Sequence, residues 1–286
     1  MWDISDYITI PLDDWIQDVV VNWLVPVMRP YMRAAQWPIQ QLLYYFNWGL
    51  HAIPFPIFAV AVSGLVWRTS GRSVALFTLI SMVILNALGV WSDTMTTLAM
   101  VLTAVVICTA IGIPIGILAA RNRYFDLALR PVLDVMQTVP SFVYLIPIVM
   151  LFGIGLVPGV IATIIFALPP IIRLTNLGIR QVSADLVEAS ESFGSTPRQT
   201  LWDIQIPLAM PTIMAGLNQT LMMALSMVVM AALIGAGGLG LTVYTSIGRL
   251  QVGTAALGGI GIVLMAMVLD RVTQSFGKPS VASRRR

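Results

Sequence analysis

Apolar residues fall in long runs along this chain, and polar residues collect in the intervals between them. Runs lie near 51–67, 73–91, 95–120, 132–153, 158–176, 208–234 and 252–270. Each approaches the roughly 20 apolar residues that a helix needs to cross a hydrocarbon core, so the pattern predicts seven spans. Residues 1 to about 50 behave differently, with five acids (Asp3, Asp6, Asp13, Asp14, Asp18) against Arg29 and Arg33, and five of the eight tryptophans. Trp15, Val19, Asn22, Trp23 and Pro26 mark one amphipathic segment, expected to break at Pro26 and Pro30. A second runs from Trp37 to Trp48, with Leu42, Leu43, Tyr45 and Phe46 apolar. Neither is long and pure enough to span, and Trp and Tyr at this density favour the headgroup region, so two interfacial helices are predicted.

The longest polar interval is Gly178–Pro211. Ser183 is placed to cap a helix, Asp185 suits its first turn, and Leu186, Val187, Ala189 and Phe193 give it apolar positions. Gly194 is expected to end that helix and Pro197 to open a second short one, with Leu201, Trp202, Ile204 and Ile206 apolar. Two short helices with a glycine joint make a knob outside the bilayer, suited to a soluble partner.

Composition supports the membrane reading. The 286 residues are 58% hydrophobic and 10% charged, with mean hydropathy +0.87, against about 25% charged in a soluble domain. A pI near 9.3 could suggest nucleic acid, but the cations are not clustered on one face. They sort by side instead: the connections at 68–72, 121–130, 173–198 and 271–286 hold thirteen of the sixteen, and only Arg29, Arg33 and Arg249 fall opposite. By the positive-inside rule the N-terminus is expected outside, the C-terminus inside, and the polar knob in the cytoplasm. The first twenty residues are acidic and lack a basic start with an apolar core, so no signal peptide is expected. The single Cys108 sits inside an apolar run, which leaves no disulfide within one chain.

Glu188, Ala189, Gly194, Ile204 and Pro207 fit the spacing EAA, three residues, G, nine residues, I-x-L-P, with Ser190 in place of the second Ala and Ile206 in place of the Leu. This resembles the cytoplasmic signature of permease subunits of binding-protein-dependent ABC importers. Gln137–Gly178, SFGSTPRQ, the run IPLAMPTIMAGLNQTLMMALSMVV and the later GGLG, IGRL and LDRVTQ narrow the likeness to glycine betaine/proline betaine (quaternary ammonium) uptake systems. It extends from about Thr94 to Phe276. The resemblance implies an all-α integral membrane protein of about seven transmembrane helices in a bacterial inner membrane. It implies an interfacial N-terminal region over 1–50, two accessory spans over 51–93, and a permease core over 94–276 with a coupling loop at 178–207. A basic cytoplasmic tail covers 277–286. The implied partners are cytoplasmic ATPase subunits that use ATP and Mg, an extracytoplasmic binding protein, membrane lipid and a second copy of the chain, without nucleic acid. Asp185, Glu188, Ala189, Ser190, Gly194, Ile204 and Pro207 would form the ATPase-coupling loop, with Glu188 and Gly194 fixing its shape.

The residues themselves offer no catalytic centre. The only lysine, Lys278, precedes Pro279, so no G-x-x-x-x-G-K-[ST] phosphate loop exists and any ATPase must be another chain. Gly235, Gly237, Gly238 and Gly240 read as a turn or re-entrant loop. The one histidine, His51, cannot make a zinc site or a triad alone, and no cofactor or metal is expected on this chain. Candidate solute-path residues are Trp91, Phe142, Tyr144 and Tyr244, whose ring faces suit a quaternary ammonium, together with Asn218 and Gln219. Each has a plainer reading as packing, interfacial belt or helix-to-helix bonding. Asp134 and Asp270 suit anchoring of helix ends, and the methionines Met210, Met214, Met222, Met223, Met227 and Met230 suit adaptable packing. Pro114, Pro140, Pro147, Pro169 and Pro170 inside the runs suit bent helices around a pathway. An ion-coupled carrier would need mid-membrane ionisable groups, and a membrane-embedded hydrolase a nucleophile with its base; both are almost wholly missing.

Overall fold

A computed structural model describes residue 14 and residues 17–277. The expected start of the first amphipathic segment at Trp15 and the basic tail with Lys278 and Arg284–Arg286 lie outside the described residues. Among those described, every regular element is a helix. A wide helical stretch, Gln17–Leu24, leads into α1 (Val25–Ala35), followed by α2 (Trp37–Ala52), α3 (Phe55–Ser70) and α4 (Arg72–Ala87). Then come α5 (Trp91–Arg121), α6 (Arg123–Thr138), the tight turn Ser141–Tyr144, α7 (Leu145–Phe152) and α8 (Leu156–Arg180). After α9 (Ala184–Ser192), one turn at Pro197–Gln199 and a wide turn at Thr200–Gln205 run into α10 (Ile206–Met230); α11 (Leu239–Gly248) and α12 (Val252–Gly277) complete the chain.

The seven apolar runs resolve into four long helices, two bent pairs and one short helix. Trp91–Arg121, Leu156–Arg180, Pro197–Ile234 and Val252–Thr273 are each long and apolar enough to cross a membrane. The run at 132–153 is not one straight span, because α6 and α7 meet at 104°, and α2 meets α3 at the same angle. Both bends have one cause. Val139 (ψ 128) and Ile53 (ψ 120) stand before Pro140 and Pro54 in extended backbone, since a proline ring disfavours helical geometry in the residue before it. The remaining helix, α4, has 16 residues, a rise of about 24 Å against a core of about 30 Å. Pro26 and Pro30 do not break α1: the first occupies its opening turn and the second lies inside it. Likewise α2 is no free surface helix, because Leu43 is buried in the main core beside residues of α5 and α8.

Helix α8 is the centre of that core. It is flanked by α5 and α10, and small residues set the separations. A Cβ on Gly116 of α5 would stand 2.6 Å from Thr175 Cβ and 2.8 Å from the Ile172 carbonyl. On the other side, a Cβ on Gly216 of α10 would stand 3.0 Å from Leu174 Cβ. Without a hydrophobic drive between helices in lipid, such close approach is what holds them together. Pro169 and Pro170 are buried in α8 at this crossing, where neighbours exclude lipid from the backbone groups they free. At the opposite end from α9, the Gly235–Gly238 turn is pinned to the start of α5. There the Leu239 amide donates to Thr97 Oγ1 at 2.8 Å, and the Thr242 hydroxyl donates to Asp93 at 2.6 Å.

Candidate functional site

The polar knob forms as a helix, a reversal and a capped restart. Ser183 takes the cap position of α9, yet its side chain makes no capping bond. Gly194 adopts φ +85, the left-handed geometry that ends a helix and that side chains disfavour. The Ser195 amide then donates back to the Ser190 carbonyl at 3.1 Å. The restart is a reciprocal cap: Thr196 Oγ1 accepts from the Gln199 amide and Gln199 Oε1 accepts from the Thr196 amide. The T-x-x-Q spacing carries this signal in the sequence. Pro197 opens only a single turn, not a separate short helix, because the chain continues through Thr200–Gln205 into α10.

Ser190, where the signature has its second Ala, is buried and shares a 3.2 Å hydrogen bond with the Thr200 hydroxyl. Together with buried Leu201 it clamps α9 against the root of α10. From α5, Arg121 donates to the Pro197 carbonyl. These bonds tie the knob to α10 and α5. The outer side of the knob is apolar and uncovered: Phe193 is 91% exposed, Trp202 64% and Leu186 47%. Asp185, Glu188 and Ala189 are also exposed. Among the described residues the Glu188 side chain makes no hydrogen bond or ion pair, while Gly194 supplies the left-handed turn that ends α9. Ile204 is half-buried and Pro207 sits in the first turn of α10.

Beneath the knob lies an ionic anchor that the sequence did not reveal. Asp126 of α6 is 3% exposed and receives Arg130 at 2.6 Å, Asn176 at 2.7 Å and Arg180 at 3.2 Å. Two turns further along α6, Asp134 pairs with Arg173 at 2.6 Å, so this acid does anchor helices. Burial pushes the Asp126 carboxyl pKa up, but the bonds from Arg130 and Asn176 and the charges of Arg180 and Arg130 outweigh it and hold the group below its usual range. A depressed carboxylate pKa contributes stability that is present above the unfolded value, about 4, and lost as pH falls through the folded value. Asp126→Asn is therefore expected to lower the unfolding temperature by a constant amount from pH 5 to 8. The gap from wild type should close below about pH 4, which thermal unfolding across a pH series would show.

The six solute-path candidates do not converge on one site. Trp91 packs edge-on against Phe55 and Phe58, with ring centres 4.9 and 5.7 Å apart. Asn218 bonds Asp270 and Thr273, joining α10 to α12, which is helix-to-helix bonding. Its neighbour Gln219 points the other way and is exposed. Tyr144 donates its hydroxyl to the Val135 carbonyl across the α6–α7 bend at 3.2 Å, while Phe142 and Tyr244 are exposed on separate elements. Gln219 instead shares an exposed stripe of α10 with Ala215, Met222 and Ser226, at the four-three-four spacing of one helix face. Sequence reading missed this grouping because Ser226 alone carries no signal.

The description "Binding-protein-dependent transport system inner membrane component" matches residues 112–278. The chain belongs to this family. It is 54% identical over 271 residues to the glycine betaine/proline betaine transport system permease protein ProW of Escherichia coli, covering 95% of this chain and 76% of that protein. It is 46% identical over 266 residues to the glycine betaine transport system permease protein OpuAB of Bacillus subtilis, covering 93% and 94%. Among solved structures, the inward-facing MetNI methionine ABC transporter has a permease-like fold in common with it, with TM-score 0.57 at 22% identity over 66% of this chain and 96% of that one. The chain is thus an all-α inner-membrane subunit of an ABC importer, a transport component and not an enzyme. Its family works with a binding protein and leaves ATP hydrolysis to a partner subunit.

Proposed function

We propose that this chain is the permease of an ATP-driven importer of glycine betaine and related quaternary ammonium solutes, used for osmoprotection. The observation that carries the reading is the 54% identity to a protein named for glycine betaine and proline betaine, sustained along almost the whole chain. Two copies would enclose the solute path, with the α10 stripe of Gln219, Met222 and Ser226 and the ring of Phe142 facing it. Polarizable and amide groups suit brief passage of a compact quaternary ammonium solute whose tight aromatic cage would belong to the binding protein.

Two ATPase subunits, using ATP and Mg, would receive the knob on the cytoplasmic side. Phe193, Trp202 and Leu186 supply its apolar contact surface, and Asp185 and Glu188 supply unpaired charge at the rim. Closure of the ATPases would move α9, and the Ser190–Thr200 and Arg121–Pro197 bonds would pass that motion to α10 and α5, tilting them between outward and inward access. The N-terminus outside and the seven spans, with α4 as the short one, complete the arrangement. The substrate is tested by competition in proteoliposomes holding the assembled importer. Unlabelled proline betaine, carnitine and choline are expected to suppress labelled glycine betaine uptake in graded order, and methionine to leave it unchanged. Uptake indifferent to every quaternary ammonium would remove the substrate assignment.

A further inference from the structure

On the side of the bundle away from α8, a cleft of about 340 Å³ opens between α3, α4, α5 and α12. Val62 and Leu65 of α3, Met82 of α4, Leu102 of α5, and Met265 and Val272 of α12 line it, and its wall exposes only apolar atoms. Phe58 and Trp91, stacked edge to face, lie at one end. The other end is the one nearer the knob, because Val272 belongs to the turn of α12 whose Thr273 meets Asn218 of α10. Two exposed cations follow the lining residues at that end in sequence: Arg68 is one turn beyond Leu65, and Arg271 adjoins Val272. Arg72, which opens α4, is turned instead onto Trp67, with its guanidinium 5.7 Å from the ring. The acid beside Arg271, Asp270, bonds Asn218 toward α10.

We propose that this cleft is a binding site for one acyl chain of an anionic phospholipid, with the phosphate held by Arg68 and Arg271. A quaternary ammonium solute has no reason to enter, since the walls expose no polar atom, and an acyl chain loses nothing by leaving lipid for a wall of the same polarity. The arginines supply what the apolar wall cannot, a preference among lipids, because each cation near an anionic headgroup adds a comparable increment of attraction. Guanidinium also suits phosphate better than an ammonium does, through its paired donors. The accessory helices α3 and α4 then act as a lipid-sealed buttress on α5, which tilts in the proposed cycle, and on α12, which is bonded to α10 through Asn218.

The test is photolabelling of the full chain in phosphatidylcholine vesicles that carry phosphatidylglycerol with a diazirine in its acyl chain. Adducts are expected on Met82, Met265 and Leu102, displaced by unlabelled phosphatidylglycerol and not by equal phosphatidylcholine. Arg68→Gln should cut these adducts about fivefold, and Arg68→Gln with Arg271→Gln about 25-fold. Both changes are on exposed residues and leave the packing intact. Val62→Trp, which fills the cleft, should abolish them while adducts on outward Val60 and Val263 persist. Cleft adducts indifferent to the arginine changes, cleft adducts that survive Val62→Trp, or adducts confined to outward positions would each overturn the proposal.

Discussion

A Gly194→Val chain is expected to insert into the membrane normally but to lose most of its ATP-driven uptake. Gly194 holds φ +85, and a Cβ there would meet nothing within 4 Å. The penalty is therefore conformational, not steric crowding. A β-branched residue in this region costs on the order of 1–3 kcal/mol, which shifts the loop away from its folded geometry by roughly 5- to 150-fold. Gly194 is exposed and a side chain there touches nothing of the α5–α8–α10 core, so the bundle survives. What is lost is the angle between α9 and the restart at Thr196, and with it the placement of Phe193. Gly194→Asp adds a charge to the same strain and is expected to fail likewise. Gly194→Asn, whose side chain tolerates left-handed backbone, should keep most of the transport. ATPase association, measured by co-purification, and uptake should fall together along the series Asn, Asp, Val. Normal coupled uptake by the valine variant would remove the docking role from this loop.

Gly116→Leu should have the larger effect on stability. Its new Cβ would stand 2.8 Å from a backbone carbonyl, that of Ile172, and 2.6 Å from Thr175 Cβ. A carbonyl inside a helix cannot rotate away, so α5 and α8 must separate and the packing along their crossing is lost. Forced overpacking costs about 1–3 kcal/mol or more, expected as a fall of on the order of 5–10 °C in the unfolding midpoint. Gly259→Leu is the control, because nothing lies within 4 Å of a Cβ at that position of α12. If both variants melted alike, close helix approach would not be what holds this bundle.

The two variants also show what the sequence could and could not reveal. Gly194 was legible because the stop signal is local: a capped amphipathic stretch meets glycine, and no distant residue is needed to interpret it. The long helices were legible because apolar length alone defines them. The 104° turns at Val139 and Ile53 were harder to see. Apolar content stays high through 132–153 despite Asp134 and Gln137, and hydropathy is blind to backbone direction, although each Xaa-Pro pair was in view. Asp126 was hidden for a different reason. It stands in a polar connection, where its neighbours were counted as loop cations, while its partners Asn176 and Arg180 are about fifty residues away. Asn218 and Gln219 adjoin in sequence but face different ways, Asn218 into α12 and Gln219 onto the exposed stripe. Adjacent residues on a helix differ by about 100°, so a pair of amides could not both serve one surface.

The account stands most directly on labelled glycine betaine uptake into proteoliposomes, with ATP, the ATPase subunits and the binding protein omitted one at a time. Uptake should require all three, and each omission should return it to background. Uptake by the chain alone, driven by an ion gradient, would contradict the account.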